Sequence, residues 1–156
     1  MKSINSPVRR PVRPMAGRAL ILALLVALLG GCAQDDIPWK KDPQTGRWYS
    51  SSQVEQGKLL FDQNCAVCHG RRAQGASNWM QPDSRGLYPP PPLDGSAHAW
   101  HHPYPQLMKT ISEGSQGTMP AWGDKLSPEQ ISSLIAYFQS YWPDQGYQLW
   151  LKRHKS

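Results

Sequence analysis

The pentapeptide Cys65-Ala66-Val67-Cys68-His69 carries the most specific chemical signal in this chain of 156 residues. In a helix, positions i, i+3 and i+4 share one face, so both thiols and the imidazole would meet the same ligand. The spacing Cys-x-x-Cys-His is the attachment signature of haem c, in which each thiol bonds to one vinyl group and the histidine becomes the proximal iron ligand. The motif therefore predicts one covalent haem held by Cys65, Cys68 and His69.

Two other uses of a Cys-x-x-Cys pair stay open at this point. A redox dithiol of the thioredoxin type occurs near a βαβ pattern, and structural zinc needs further ligands at finger-like spacing. The sequence shows neither pattern. Both alternatives therefore rank below haem attachment.

Residues 1–31 have the three-part layout of a secretory signal peptide. Residues 1–18 are basic and contain no acid, residues 19–29 read ALILALLVALL, and two glycines follow. The apolar run is shorter than the roughly 20 residues of a membrane-spanning helix, which favours cleavage over an uncleaved anchor. We expect export to the periplasmic side of a bacterial cell envelope.

The sequence Leu29-Gly30-Gly31-Cys32 resembles a bacterial lipobox, whose cysteine becomes the lipid-modified first residue of the mature protein. Lipidation of Cys32 would account for the third cysteine, because the haem motif uses the other two. Several acyl chains on one residue anchor a protein stably to a membrane. Ala33 resembles the residue found in lipoproteins sorted onward to an outer membrane. An ordinary cleavage site that leaves a free thiol is the alternative.

The charge of the chain is concentrated in its first 31 residues. The whole chain has 17 Lys and Arg against 11 Asp and Glu, and five of the basic residues precede Cys32. From Cys32 onward, 12 basic residues minus 11 acidic residues leave a net charge of +1. Haem propionates would lower this value further. A nucleic-acid partner is therefore disfavoured.

The rest of the chain divides into a tether, a domain and a tail. Residues 32–50 are polar and contain prolines, so we expect a tether lying over the domain surface. Residues 51–143 hold the haem motif and the helical patterns, and they predict one domain. Residues 144–156 predict a frayed basic tail, with contact to anionic lipid or an acidic partner as the alternative.

Three helical patterns and no strand pattern occupy the predicted domain. Ser52 and Glu55 form a capping box ahead of a helix that runs into the haem motif. A short middle helix ends at Gly114. A capping box also begins the last helix at Ser127, and Pro143 ends it.

Met119 is the first candidate for the second axial ligand of the iron. It precedes Pro120 in a short loop about fifty residues after His69, from which it can reach the opposite haem face. Met80 and Met108 are alternatives, although the apolar helical stripe around Met108 favours core filling.

The histidines His98, His101 and His102 form a second cluster of possible ligands. A metal site is one interpretation, and a surface loop with solvated or propionate-bound imidazoles is the other. One of them in place of Met119 at the iron would lower the reduction potential.

The order of these features resembles class I c-type cytochromes over residues 50–142. The resemblance rests on Gly57 and Phe61 in the first helix, on the haem motif, on Met119-Pro120, and on Leu134-Ile135-Ala136-Tyr137-Phe138 in the last helix. It implies an all-α fold, the small cytochrome c fold of three to four helices around one covalently bound haem. It also implies that Gly57 packs close to Leu134 and Tyr137.

A second part of the resemblance concerns Pro91-Pro92-Leu93-Asp94-Gly95, which is similar to the family's Pro-x-Leu-x-Gly segment. In the family, the proline carbonyl accepts the N–H of the proximal imidazole, which implies this role for Pro91 and a fixed tautomer for His69. Four consecutive prolines leave Pro90 and Pro92 as alternative acceptors.

The resemblance implies a monohaem electron carrier, tethered to a membrane through lipidated Cys32 and facing the periplasm, with no catalytic residues. Its expected partners are respiratory oxidases, reductases or dehydrogenases. A haem subunit of a periplasmic oxidoreductase complex is one alternative. The other is a haem sensor with an open or displaceable axial site.

Overall fold

The computed structural model describes residues 41–115 and 118–154, and within these ranges the chain is helical. Five α-helices are present there, together with a 3₁₀ turn at Ala99–His101: α1 Ser51–Asn64, α2 Ala66–His69, α3 Tyr104–Glu113, α4 Pro128–Gln139 and α5 Asp144–His154. The described ranges contain no strand, only an isolated bridge between Ser115 and Met119. The all-α class is confirmed. The helices outnumber the expected three to four because the haem motif forms its own short helix and the expected tail forms another.

The predicted signal peptide, the lipidation site Cys32 and the tether up to residue 40 lie outside the described residues. None of the helices in the described part of the chain is long and apolar enough to cross a membrane.

Helix α4 is the buried centre of the domain. Ser127 caps it through a capping box with Gln130, and Pro128 occupies the first turn, as the sequence predicts. Most of its residues are buried, including Ile131 and every residue from Ser133 to Gln139. A helix that is buried on nearly all sides organises the elements around it.

Helix α1 crosses α4 at Gly57, which is buried. A Cβ atom on Gly57 would meet the carbonyl oxygen of Ser133 and lie 2.9 Å from Tyr137 Cβ. The expected contact with Tyr137 is therefore present, and the backbone of Ser133 is the nearest neighbour of Gly57. Because α1 runs directly into the haem motif, this crossing positions the motif against α4.

The beginning of α1 differs from the sequence prediction by two residues. Ser50, and not Ser52, is the N-cap, because its Oγ accepts a hydrogen bond from Gln53 N at 3.3 Å. The Gln53 side chain in turn accepts one from Ser50 N at 2.9 Å. Ser50-x-x-Gln53 satisfies the capping-box pattern as well as Ser52-x-x-Glu55 does, and packing decides between them.

The expected frayed tail is wrong, since residues 144–154 form α5. Pro143 stops α4 as predicted, but its carbonyl accepts from Tyr147 N at 3.0 Å and begins the next helix. Tyr147 and Trp150 are fully buried in the core. Asp144 in the first turn and three basic residues in the last turn complement the helix dipole. The basic residues are thus the end of a docked helix.

The predicted end of the tether at residue 50 is also too late in the chain. Trp48 and Tyr49 are buried core residues, and Trp48 Nε1 donates to Gln139 Oε1 at 2.7 Å. Arg47 donates to the carbonyls of Gln139 and Trp142 at 3.1 and 2.9 Å. Residues 47–49 therefore belong to the domain.

Candidate haem-binding site

Helix α2 brings the residues of the predicted haem motif onto one turn. Cys65 begins this helix, and its carbonyl accepts from Cys68 N at 3.1 Å and from His69 N at 2.9 Å. The helical spacing of the two thiols and the imidazole is therefore the one that a single ligand requires. Both cysteines are free thiols, Cys65 half-buried and Cys68 exposed.

The environment of Cys65 argues against a redox dithiol. Burial, and to a smaller extent the neighbouring Cys68, raises the pKa of the Cys65 thiol to about 11. Redox-active Cys-x-x-Cys pairs have the opposite property, a lowered pKa that supplies a thiolate at neutral pH. The buried environment of Cys65 therefore disfavours the thiolate that such a pair uses.

His69 is held in the tautomer that a metal ligand needs. Its Nδ1 lies 3.2 Å from the carbonyl oxygen of Pro91, and a carbonyl can only accept, so Nδ1 carries the proton and Nε2 keeps its lone pair. Burial lowers the pKa of His69, and the hydrogen bond to Pro91 opposes this effect only in part. A neutral imidazole is the metal-binding form.

The contact also resolves the register of the four prolines. The Pro90 carbonyl is occupied by Ala76 N at 2.9 Å, and Pro91 is the residue that faces the imidazole. Behind His69, the Phe61 ring is fully buried, with its centroid 6.5 Å from the imidazole and 5.1 Å from the Tyr137 ring. One side of the site is therefore apolar and closed.

Met119 lies in a loop that folds back on the end of α3. Ser115 N donates to Met119 O at 3.1 Å, and Trp122 N donates to Ile111 O at 3.1 Å. Gly114 ends α3 as predicted, and a Cβ on it would lie 2.6 Å from Met119 O, so only glycine permits this close return. Met119 is half-buried and packs against the core. Its ligation of iron stays a prediction.

The other two methionines have different surroundings. Met80 is 70% exposed, whereas Met108 in α3 is half-buried and packs against the core. The position of Met108 agrees with the core-filling interpretation.

The histidine cluster is brought together only in part. The rings of His98 and His102 lie 5.6 Å apart, while His101 Nδ1 faces Arg153 Nη1 at 3.2 Å. In the described ranges, no group of three or more His, Cys, Asp or Glu side chains could hold a metal ion. The metal-site interpretation therefore gains no support from the geometry.

The donor set of α2 fits haem c. It offers two free thiols on one helical turn and a neutral imidazole whose outer nitrogen is already hydrogen-bonded. These are the groups that form two thioether bonds and one iron bond, and the Pro91 carbonyl is the acceptor that fixes the orientation of such a histidine.

Residues 52–138, more than half of the chain, match the protein-family model described as cytochrome C oxidase, cbb3-type, subunit III. The chain belongs to this family of c-type cytochromes. Family membership implies covalently bound haem c and an electron-transfer role, so the expectation of a c-type cytochrome is confirmed at this level.

The relatives include subunits of an oxidase and, separately, an alcohol dehydrogenase. The chain is 36% identical over 92 residues to the cbb3-type cytochrome c oxidase subunit CcoP of Azospirillum sp. (strain B510), covering 59% of this chain and 30% of that protein. It is 34% identical over 88 residues to subunit FixP of Bradyrhizobium diazoefficiens, covering 54% and 26%. It is 32% identical over 104 residues to the quinohemoprotein alcohol dehydrogenase ADH IIB of Pseudomonas putida, covering 67% and 13%.

These matches cover less than a third of the length of each of the three relatives. Among solved structures, cytochrome cL of Methylophaga aminisulfidivorans is 25% identical, with a TM-score of 0.49 and coverage of 65% of this chain and 62% of that one.

Sequence reasoning missed the residues that hold the proline segment, which we define as residues 89–93. Gly75 lies in a loop rich in Gly and Ser, where the composition indicated only irregular structure. Trp142 carries no site signal in the sequence, where it stands directly before the helix-ending Pro143. No sequence signal shows that both contact the proline segment, because those contacts join parts of the chain that are up to 49 residues apart.

Proposed function

We propose that this chain is a monohaem c-type cytochrome that carries electrons on the periplasmic side of a bacterial cell envelope. In this proposal, Cys65 and Cys68 bond one haem c, and His69 and Met119 are its axial ligands. The observation that carries the proposal is the 3.2 Å contact between His69 Nδ1 and Pro91 O. It leaves Nε2 as the free nitrogen on the helical turn that carries both thiols.

The residues of the chain supply position, burial and access. When bound, haem supplies an iron that changes between the ferrous and ferric states without any substrate bond being made or broken. The Pro91 carbonyl orients the proximal imidazole and increases its basicity. Val67, 90% exposed, and the exposed Cys68 mark the side of the motif that a redox partner can approach.

Spectra of the purified protein in both oxidation states, with and without carbon monoxide, test the ligand set. We expect a low-spin c-type spectrum, a methionine–iron charge-transfer band in the ferric state and no carbon monoxide binding. Met119→Ala should lose the charge-transfer band and bind carbon monoxide. Met80→Ala is the matched control, because its side chain is 70% exposed, and it should behave as the wild type.

Two results would overturn the carrier proposal. A wild-type protein that is high-spin or binds carbon monoxide would have an open axial site, as a sensor or a catalytic haem does. A Met119→Ala variant that keeps the charge-transfer band would remove Met119 from the iron and direct the search to the other methionines.

We also propose that lipidated Cys32 tethers the domain to a membrane. The support is the lipobox-like sequence before Cys32, together with the use of the other two cysteines in α2. A tether raises the local concentration near membrane-bound partners. Labelled fatty acid should be incorporated into the wild type but not into Cys32→Ser, which should move to the soluble periplasmic fraction. Label in the variant would contradict the proposal.

A second candidate function is a haem subunit of a respiratory oxidase. The similarity to the oxidase subunits CcoP and FixP favours it. Detergent-solubilised membranes distinguish the two candidates. Stable co-migration of this cytochrome with oxidase activity in native electrophoresis indicates a subunit. Electron donation to the oxidase by a separately migrating protein indicates a carrier.

A further inference from the structure

The proline segment is held at both ends by backbone hydrogen bonds from the preceding loop. Ala76 N donates to Pro90 O at 2.9 Å, and Leu93 N donates to Ala73 O at 2.7 Å. The four prolines of the segment have no N–H and a fixed φ, so Leu93 N is its one backbone donor. The direction of the Pro91 carbonyl, which lies between these two contacts, depends on what holds the ends.

Trp142 supplies a third contact at the Leu93 end. Its Nε1 donates to Leu93 O at 2.7 Å, and the side chain is buried between the rings of Phe138 and Trp150. A buried indole with fixed neighbours has little freedom to follow a moving acceptor. The Leu93 carbonyl is thereby fixed two residues from the carbonyl that faces His69.

Gly75 allows the loop to lie directly on the proline segment. A Cβ on Gly75 would lie 2.8 Å from Pro90 O and 2.5 Å from the carbonyl carbon of Pro91. The φ of Gly75 is also +68°, in the left-handed region that favours glycine. Any side chain at this position must push the proline segment away from the loop.

We propose that Trp142 is a positioning residue for the proximal ligand. By holding Leu93 O, it keeps the Pro91 carbonyl at hydrogen-bonding distance from His69 Nδ1. The inference rests on the proposed role of His69 as iron ligand and goes beyond it. Trp142 lies outside residues 52–138, the segment that matches the family.

The consequence is electronic as well as structural. A hydrogen bond from Nδ1–H to a carbonyl makes the imidazole a stronger electron donor, which favours the ferric state and lowers the reduction potential. Loss of the Trp142 contact should weaken that bond. The reduction potential should then rise, and the Nδ1 proton of His69 should exchange faster with solvent.

Trp142→Phe removes the indole donor and keeps an aromatic ring in the core. Trp48→Phe is the matched control, because Trp48 is also buried, its Nε1 donates to Gln139 Oε1 at 2.7 Å, and its ring contacts Tyr49 and Tyr104. In ferrous protein with ¹⁵N-labelled histidine, we expect the His69 ring proton of Trp142→Phe to exchange about tenfold faster than in wild type, as for loss of one hydrogen bond. The potential should rise in this variant and stay at the wild-type value in Trp48→Phe.

A glycine pair gives the same test without touching a tryptophan. Gly75→Ala displaces the proline segment and should give the same faster exchange and higher potential. Gly86→Ala is its control, because Gly86 has a similar φ of +78° but nothing lies within 4 Å of an added Cβ. Backbone strain alone would therefore appear in both variants, and displacement of the segment in only one. This pair tests whether displacing the proline segment changes the hydrogen bond of His69, which the role proposed for Trp142 requires.

Three results would overturn the inference. Unchanged exchange and potential in Trp142→Phe, or in Gly75→Ala where the tryptophan variant does not mature, would show that the contact does not position Pro91. Equal changes in Trp142→Phe and Trp48→Phe would indicate general loosening of the core. A wild-type spectrum without histidine ligation would refute the proposed function itself. The wild-type spectrum therefore separates failure of the proposed function from failure of the positioning role.

Discussion

Gly57 in α1 lies directly against the backbone of Ser133 in α4. An added Cβ would meet the Ser133 carbonyl oxygen and come within 2.9 Å of Tyr137 Cβ. Both helices are continuous at this point, so neither backbone can move aside like a flexible side chain. The haem motif follows directly after α1, and its position on α4 therefore depends on this close approach.

Gly57→Ala should separate α1 from α4 and destabilise the holoprotein. Overpacking at a tight core contact costs about 1–3 kcal/mol, and the backbone contact at Ser133 favours the upper part of that range. Urea unfolding of the matured protein, followed by circular dichroism, measures the loss.

Gly146→Ala is the control for this prediction. Gly146 lies in α5, and nothing is within 4 Å of an added Cβ. Alanine in an open helical position should raise stability by up to about 1 kcal/mol. Equal effects of the two substitutions would mean that the tight contact at Gly57 does not matter.

Arg47 fastens the segment before α1 to the junction of α4 and α5. Its guanidinium donates to Gln139 O, Trp142 O and Asp144 Oδ1 at 3.1, 2.9 and 2.7 Å and stacks 4.4 Å from the Tyr147 ring centroid. The side chain is only 13% exposed. Arg47→Met should leave Trp142 O without its donor, while Gln139 O keeps the hydrogen bond from Trp142 N, and should cost about 1–3 kcal/mol, measured by urea unfolding.

The ion-pair partner of Arg47 should matter far less. Asp144 is 93% exposed, so the charge pair is largely solvated, and exposed ion pairs contribute about 0–1 kcal/mol. Asp144→Asn should therefore lower stability by less than about 1 kcal/mol. A larger loss in Asp144→Asn than in Arg47→Met would show that the ion pair, and not the carbonyl contacts, holds the segment.

Trp150 should anchor α5 to the domain. The side chain is fully buried, and truncating a buried tryptophan costs about 3–5 kcal/mol. Trp150→Ala should therefore greatly lower the urea midpoint, with loss of helical signal from α5. Leu149→Ala, at a neighbouring position that is 50% exposed, should cost less than about 1 kcal/mol. A small loss of stability in Trp150→Ala would indicate that residues 144–154 form the frayed tail that the sequence predicts.

The sequence predicts most accurately what depends on local spacing. The turn of Cys65, Cys68 and His69, the capping box at Ser127 and the helix end at Gly114 each involve residues within a few positions of one another. Tyr147 and Trp150 also have helical spacing, but the basic residues after them and Pro143 before them suggested a tail. The burial of this aromatic pair depends on contacts with Trp48, Trp142 and His102, which spacing alone does not show.

The contacts that fix the proline segment could not be predicted, because they join residues that are distant in the sequence. Sequence resemblance proposed Pro91 as the acceptor for His69, but the four prolines left its register open. Ala76 N occupies Pro90 O, and Trp142 fixes Leu93 O. These contacts join segments that no local pattern relates. The choice among the prolines therefore required the folded chain.

Tyr49 should make the folded protein less stable in alkaline solution. Burial raises the pKa of Tyr49 to about 12, and Arg47 opposes this effect only in part. The phenol of the unfolded chain titrates near 10. Below pH 10 both states are protonated and Tyr49 contributes no pH dependence. Between pH 10 and about 12 the unfolded state alone loses its proton, so stability falls, by about 1 kcal/mol at pH 11.

Urea unfolding at pH 9 and pH 11 measures this contribution. The fall in stability between the two pH values should be smaller in Tyr49→Phe than in the wild type, whatever the variant's stability at pH 9. Tyr88→Phe is the control, because Tyr88 is 59% exposed, and it should show the wild-type fall. The wild type and Tyr49→Phe share every alkaline titration except that of Tyr49. An undiminished fall in stability in Tyr49→Phe would therefore show that burial of the Tyr49 hydroxyl does not oppose its ionisation.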